Sequence, residues 1–208
     1  MKTLILKNNI QNISQEVSTI IRNGGIAILP FDTVYGFVCD SRNDLSLQKI
    51  YELKKRPAQK TIGLAVANIE KLKNITDLSD VAKEYITQRT PGKYTFILKK
   101  LSWIPDQVGD DKGTISDFCV QSGTIGVRIP DSQLILDVIR ASGGMIAQTS
   151  ANISGQPNCF SINDIRNQYD EKSLAQVDLI VDGGALNNLE ASKLVDLTAD
   201  IPKEIERK

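Results

Sequence analysis

Short, wholly apolar runs recur along this chain, and between them apolar residues fall three and four apart. A short apolar run bounded by turn residues reads as a strand buried on both faces, and helical spacing beside it reads as a helix laid on the sheet. Strands are expected at 25–30, 62–66, 95–98, 124–129, 145–149, 179–181 and 194–197. Helices are expected at 15–23, where Val17, Ile20 and Ile21 share a face, and at 45–55, which must end before Pro57. Two more start from capping residues: one at Ser79 or Asp80 running towards Gln88, and one at Asp131 that Gly143-Gly144 ends. The loop 31–36 follows the first strand, and 102–122 reads as a polar, irregular and mobile surface loop. Strands alternating with helices specify an α/β fold. Neither a repeat nor a linker interrupts the 208 residues, so residues 1–208 are expected to form a single domain.

Composition removes several kinds of chemistry. The chain has no histidine, which excludes Ser-His-Asp triads, Cys-His pairs and imidazole metal sites together. The three cysteines, Cys39, Cys119 and Cys159, form no CxxC and suit a reducing cytosol. No apolar run approaches the roughly 18 residues that would cross a bilayer, and the apolar core after Met1 is too short for a secretory leader, so a cytoplasmic, membrane-free protein is expected. Lys+Arg and Asp+Glu are equal at 25 each, so any anion site must come from local clustering of basic residues.

Several constellations can carry chemistry. Lys54, Lys55, Arg56 and Lys60 cluster at a helix end, where they either bind phosphate or simply complement the helix dipole in solvent. The segment 149–155 places hydroxyls and an amide after a strand, where open α/β sheets bind ligands, though Ser, Asn and Gly equally make ordinary turns. Thr33 follows another strand and can hydrogen-bond a ligand. Strand alternation puts Thr124, Gly126 and Arg128 on one face, leaving Arg128 either a carboxylate clamp or half of a salt bridge. Neither a Walker A motif nor GxGxxG is present, so a nucleotide must be held by dispersed residues.

The order of these pieces resembles the YrdC-like family signature. It runs from Leu29-Pro30-Phe31-Asp32-Thr33-Val34-Tyr35-Gly36 through Leu53-Lys54-Lys55-Arg56-Pro57 and Thr124-Ile125-Gly126-Val127-Arg128-Ile129-Pro130 to Ser150-Ala151-Asn152-Ile153-Ser154-Gly155. Pro91-Gly92, Asp182-Gly183-Gly184 and 192–197 extend it across nearly the whole chain. The resemblance implies a twisted mixed β-sheet flanked by helices, with a positively charged concave cleft. It implies synthesis of threonylcarbamoyl-AMP from L-threonine, bicarbonate and ATP with Mg2+, for the threonylcarbamoyladenosine (t6A) of tRNA. Carried over by position, Thr33, Arg128, Ser150 and Ser192 would hold L-threonine, and Arg56, Lys60, Thr124 and Asn152 would hold ATP, with Lys54 and Arg56 as the catalytic cations. Arg207 is a further nucleotide ligand on the same ground. Implied partners are tRNA or double-stranded RNA and the proteins of the t6A transfer complex. On the same resemblance, the extra C-terminal domain of longer synthases is expected to be absent. It departs from the pattern at Phe31, Lys60-Thr61, Gln148-Thr149 and Lys193, and 90–99 is closer to the YciO branch, so a YciO-like relative or an RNA-binding protein without the synthase activity is the alternative.

Overall fold

The computed structural model describes residues 2–7, 9–102, 115–187, 191–199 and 201–206. In chain order the elements are β1 (Lys2–Ile5), α1 (Ile10–Arg22), β2 (Ala27–Pro30), β3 (Tyr35–Cys39), α2 (Asp44–Lys54), β4 (Gly63–Val66), α3 (Ile69–Lys73), α4 (Asp80–Thr87) and β5 (Tyr94–Lys99). A 3-10 turn (Asp117–Cys119) then leads into β6 (Val120–Gln121), β7 (Thr124–Arg128), α5 (Gln133–Ala141), β8 (Met145–Ser150), α6 (Ile162–Gln168), α7 (Glu171–Leu174), β9 (Leu179–Asp182), β10 (Lys193–Asp196) and β11 (Lys203–Ile205). The strands form one mixed sheet in the order β1-β9-β2-β3-β8-β4-β7-β5-β10-β11, with β6 beside β7. The expected α/β architecture of a mixed sheet with flanking helices is therefore present.

Each face of the sheet has its own core. On one, Ile13, Val17 and Ile21 of α1 and Leu134, Ile135, Val138 and Ile139 of α5 pack on Ala27, Leu29, Val38, Ala65 and Ile146. On the other, Leu47, Ile50 and Leu53 of α2, Ile86 of α4 and Ile165 of α6 cover Ile28, Phe37, Leu64, Phe96, Ile125 and Val127. Burying each Val, Leu, Ile or Phe side chain here is worth about 1.5–3 kcal/mol, so the sheet is stabilised from both sides. The alternation read in β7 holds: Ile125 and Val127 enter this second core, and Thr124, Gly126 and Arg128 face the other way.

Local chemistry explains where the elements differ from expectation. Helix α1 begins at Ile10, five residues ahead of the expected start, because the Asn9 side chain accepts from the Asn12 amide and caps it there. Tyr35 and Gly36 belong to β3, which pairs with β2 as an antiparallel hairpin, so only 31–34 is the turn. Ser132, not Asp131, is the N-cap of α5 and makes no side-chain capping bond, while the Asp131 amide donates to the Asp32 carboxylate. Residues 103–114 of the expected loop lie outside the described residues, but 115–122 is ordered structure. There Ile115 and Cys119 are buried, the Ser116 amide donates to Ser41 O, and Phe118 O accepts from the Ile62 amide. Arg207 also lies outside the described residues. Among the described residues, no helix is long and apolar enough to cross a membrane.

Candidate active site

The face that α1 and α5 partly cover changes character towards β4, β7 and β8. The cross-strand register brings Gly63 opposite Gln148 and Gly36 opposite Ser150, so small and polar side chains replace large apolar ones. Among the described residues, a Cβ added at Gly126 on β7 would meet only Thr95 Cγ2 within 4 Å, at 3.7 Å, which leaves room beside that strand. The segments singled out in the sequence form two principal clusters, one where α2, from the opposite face, meets the end of β8 and one about Arg128 on this face.

The first cluster joins the end of α2 to the loop after β8. Helix α2 stops at Lys55, which takes a left-handed conformation (φ 47°) and closes the last turn. Lys54, just before it, is buried with only 1% of its surface exposed. Its ammonium donates to Ser150 O, to Asn152 O at 2.6 Å and to Asn152 Oδ1 at 3.3 Å. The Ser154 amide donates back to Lys54 O at 2.8 Å, and the Ser150 hydroxyl donates to Asn152 Oδ1 at 2.5 Å. An ammonium has three donors, and all of them are committed here. Burial, with the Arg56 cation nearby, draws the Lys54 pKa down to about 7. Arg56 folds onto its own loop, with Nε donating to Lys60 O at 2.8 Å and Nη2 to Thr61 O at 2.5 Å, and burial lowers its pKa.

The second cluster surrounds Arg128, the last residue of β7. Its guanidinium donates through Nη2 to Asp32 Oδ1 at 2.7 Å and through Nη1 to Thr33 Oγ1 at 3.2 Å, and the Phe31 ring centroid lies 5.7 Å from Cζ. In the sheet order β8 and β4 separate β3 from β7, a gap of about 14 Å at ordinary strand spacing. An arginine side chain cannot cross that distance, so the turn 31–34 must arch over this face to meet it. Gly36 permits the arch, since a Cβ there would lie 3.0 Å from Phe31 Cε2. The hairpin is further anchored by the Tyr35 hydroxyl, which donates to Gly184 O and accepts from the Gly183 amide. Burial, the largest influence, pushes the Tyr35 pKa up to about 12.

The remaining sequence candidates lie around these clusters. Ser192, just before β10, shares a 2.9 Å hydrogen bond with Thr95 of β5, the residue below the open space at Gly126. Thr124 donates to Gln121 O at 2.7 Å, closing the turn into β7. Lys60 is exposed and contributes its carbonyl to the first cluster, accepting from both Arg56 and Tyr51. Among the described residues, no three His, Cys, Asp or Glu side chains come together to hold a metal ion.

This arrangement has known counterparts. The family model Sua5/YciO/YrdC, described as telomere recombination, matches residues 19–208. The chain belongs to this family. The threonylcarbamoyl-AMP synthase of Vibrio campbellii is 29% identical over 164 residues, 77% of this chain and 83% of its own length. Escherichia coli YciO superposes with a TM-score of 0.78 at 25% identity, covering 98% of this chain and 93% of its own. Sua5 from P. abyssi, solved with L-threonine, superposes with a TM-score of 0.81 at 24% identity over 98% of this chain, and this chain spans 56% of its length.

Within the Sua5/YciO/YrdC signature, two residues escaped the sequence reading as site members. Asp32 was visible inside the Asp32-Thr33-Val34-Tyr35-Gly36 motif, but its partner Arg128 lies 96 residues away. Gln148, one of the departures from the pattern, stands on the open face with its Nε2 3.1 Å from where a Gly63 Cβ would be.

Proposed function

We propose that this protein joins L-threonine, bicarbonate and ATP into threonylcarbamoyl-AMP with release of pyrophosphate, a nucleotidyl transfer that supplies the threonylcarbamoyl group of tRNA. The observation that carries the reading is Lys54. Its ammonium joins Lys54-Lys55-Arg56 to Ser150-Ala151-Asn152, two signature segments about a hundred residues apart. Relatives named threonylcarbamoyl-AMP synthase and a Sua5 solved with L-threonine support the same substrates here.

The chemistry asks for positioning and charge neutralisation rather than a protein nucleophile. The threonine amine adds to the bicarbonate carbon and water leaves, giving a carbamate; a carbamate oxygen then attacks the α-phosphorus, and pyrophosphate leaves. Arg128 and Thr33, with Ser150 and Ser192, are assigned to L-threonine. Arg56, Lys60, Thr124 and Asn152 are assigned to ATP. Lys54 is assigned a place beside the phosphates, holding the loop that carries Ser150 and Asn152. With no carboxylate trio in the described residues, Mg2+ is expected to arrive on the triphosphate. Contacts with tRNA and with proteins of the transfer step belong to the later use of the product.

Mass spectrometry of the product made from 13C-bicarbonate tests the proposal. A labelled nucleotide adduct that forms only with L-threonine supports it, and a product formed equally without threonine contradicts it. The second reading, a YciO-like protein acting on another substrate, is favoured by the near-complete mutual coverage with YciO, and predicts no labelled adduct. RNA binding without catalysis is less favoured, because equal numbers of acidic and basic residues give no overall attraction to a polyanion.

A further inference from the structure

The Arg128 guanidinium is buried at 3% exposure, yet among the described residues its Nε–H has no hydrogen-bond partner. Buried N–H groups are ordinarily satisfied, and one left open inside a cluster this well packed marks a place where an acceptor belongs. Of the four N–H groups on Nη1 and Nη2, one on Nη2 donates to Asp32 Oδ1 and one on Nη1 to Thr33 Oγ1, and one face lies towards the Phe31 ring. Asp32 is equally fixed, with 6% of its side chain exposed and Oδ2 accepting from the Asp131 amide at 3.1 Å.

That last contact orients the Asp32 carboxylate. A carboxylate paired with arginine for its own sake takes the Nε/Nη2 edge with both oxygens. Here Oδ2 accepts from the Asp131 amide and Oδ1 from Nη2, and neither oxygen is bonded to Nε, which is buried without a partner among the described residues. The pair also sets the charge of the acceptor. With Asp32 beside Arg128 the local charge is close to zero, so a multiply charged phosphate would meet the Asp32 anion at short range. An amino-acid zwitterion brings a single carboxylate to the open N–H and a compensating ammonium beside it.

We infer that Asp32 is a positioning residue for amino-acid recognition: it anchors Arg128 through Nη2 so that Nε–H is presented to the α-carboxylate of L-threonine. The inference rests on the proposed function, and Asp32 touches the substrate only through Arg128.

The test compares L-threonine with L-threoninamide, which keeps the amine and hydroxyl but lacks the carboxylate. The readout is the ratio of the L-threoninamide inhibition constant to the L-threonine KM, measured by pyrophosphate release. In Asp32→Asn this preference is expected to fall about tenfold or more, the loss of one charge-assisted hydrogen bond. The turnover number at saturating threonine should stay within about threefold, since the carboxylate is remote from the reacting amine. Arg128→Lys should lose the preference too, and the double variant should lose no more than Arg128→Lys alone, because both changes remove one interaction. A preference unchanged in Asp32→Asn, or losses that multiply in the double variant, would overturn the inference. If circular dichroism shows Asp32→Asn unfolded, Asp32→Glu takes its place. It keeps the charge but shifts it by one methylene, so a smaller fall is expected and an unchanged ratio counts against the inference. A wild-type protein that discriminates, paired with variants that do so equally, removes only this inference; a wild-type protein that does not use threonine removes the proposed function as well.

Discussion

Lys54 is the residue whose environment departs furthest from that of a surface lysine. Three oxygens accept from its ammonium, while burial draws its pKa to about 7. Between about pH 7 and 10.5 the unfolded chain keeps the Lys54 proton while the folded chain sheds it, so this group makes stability rise with pH. The buried Cys39 and Cys119 thiols are pushed up by burial and act in the opposite sense once unfolded thiols ionise, above about pH 8.5. Urea unfolding between pH 7 and 8.5 should therefore show stability climbing by up to about 1.4 kcal/mol per pH unit, with the climb lost in Lys54→Met. Equal slopes in the two proteins would mean that the ammonium is not held in this way. Gly126 gives a complementary test on the open face. Among the described residues the Cβ of Gly126→Val would meet only Thr95 Cγ2, at 3.7 Å, and valine suits a strand, so unfolding stability should change by less than about 1 kcal/mol. The same side chain would stand in the space assigned to substrate, and activity should fall by about a hundredfold or more. A variant of normal activity would place the substrate elsewhere.

At the scale of elements, the hairpin of β2 and β3 matters most because its turn meets β7 across two intervening strands. Tyr35 fastens it to Asp182-Gly183-Gly184, and Tyr35→Phe would leave the Gly183 amide and Gly184 carbonyl without that partner. A loss of about 1–3 kcal/mol is expected in urea unfolding, with a larger L-threonine KM as the turn loosens; unchanged stability would show the anchor to be dispensable. The hairpin was also where the sequence was hardest to read. Tyr35 and Gly36 follow turn residues so closely that they read as loop, yet both are buried in β3. Helix α6 has only seven residues, too few for a periodic signal, and its one clue was the capping box of Ser161 with Asp164. By contrast β7 was legible, because Ile125 and Val127 alternate with Thr124, Gly126 and Arg128. The motif positions were legible through the resemblance, but their contacts were not. Lys54 satisfies backbone carbonyls nearly a hundred residues away, and Asp32 shares the Arg128 guanidinium with Thr33. No local pattern encodes either pairing.

For the molecule as a whole, the sheet gathers segments from the first, second and last thirds of the chain onto one face, while helices cover most of the rest. Such a scaffold can serve more than one reaction, and the likeness to both YciO and Sua5 fixes the fold without fixing the substrate. Pyrophosphate release from ATP and magnesium, with and without L-threonine and bicarbonate, therefore bears most directly on the proposed activity. Release that requires both L-threonine and bicarbonate is the predicted result. Release that is equal without threonine, or a flat trace from folded protein, would contradict the synthase and leave the YciO-like reading in its place.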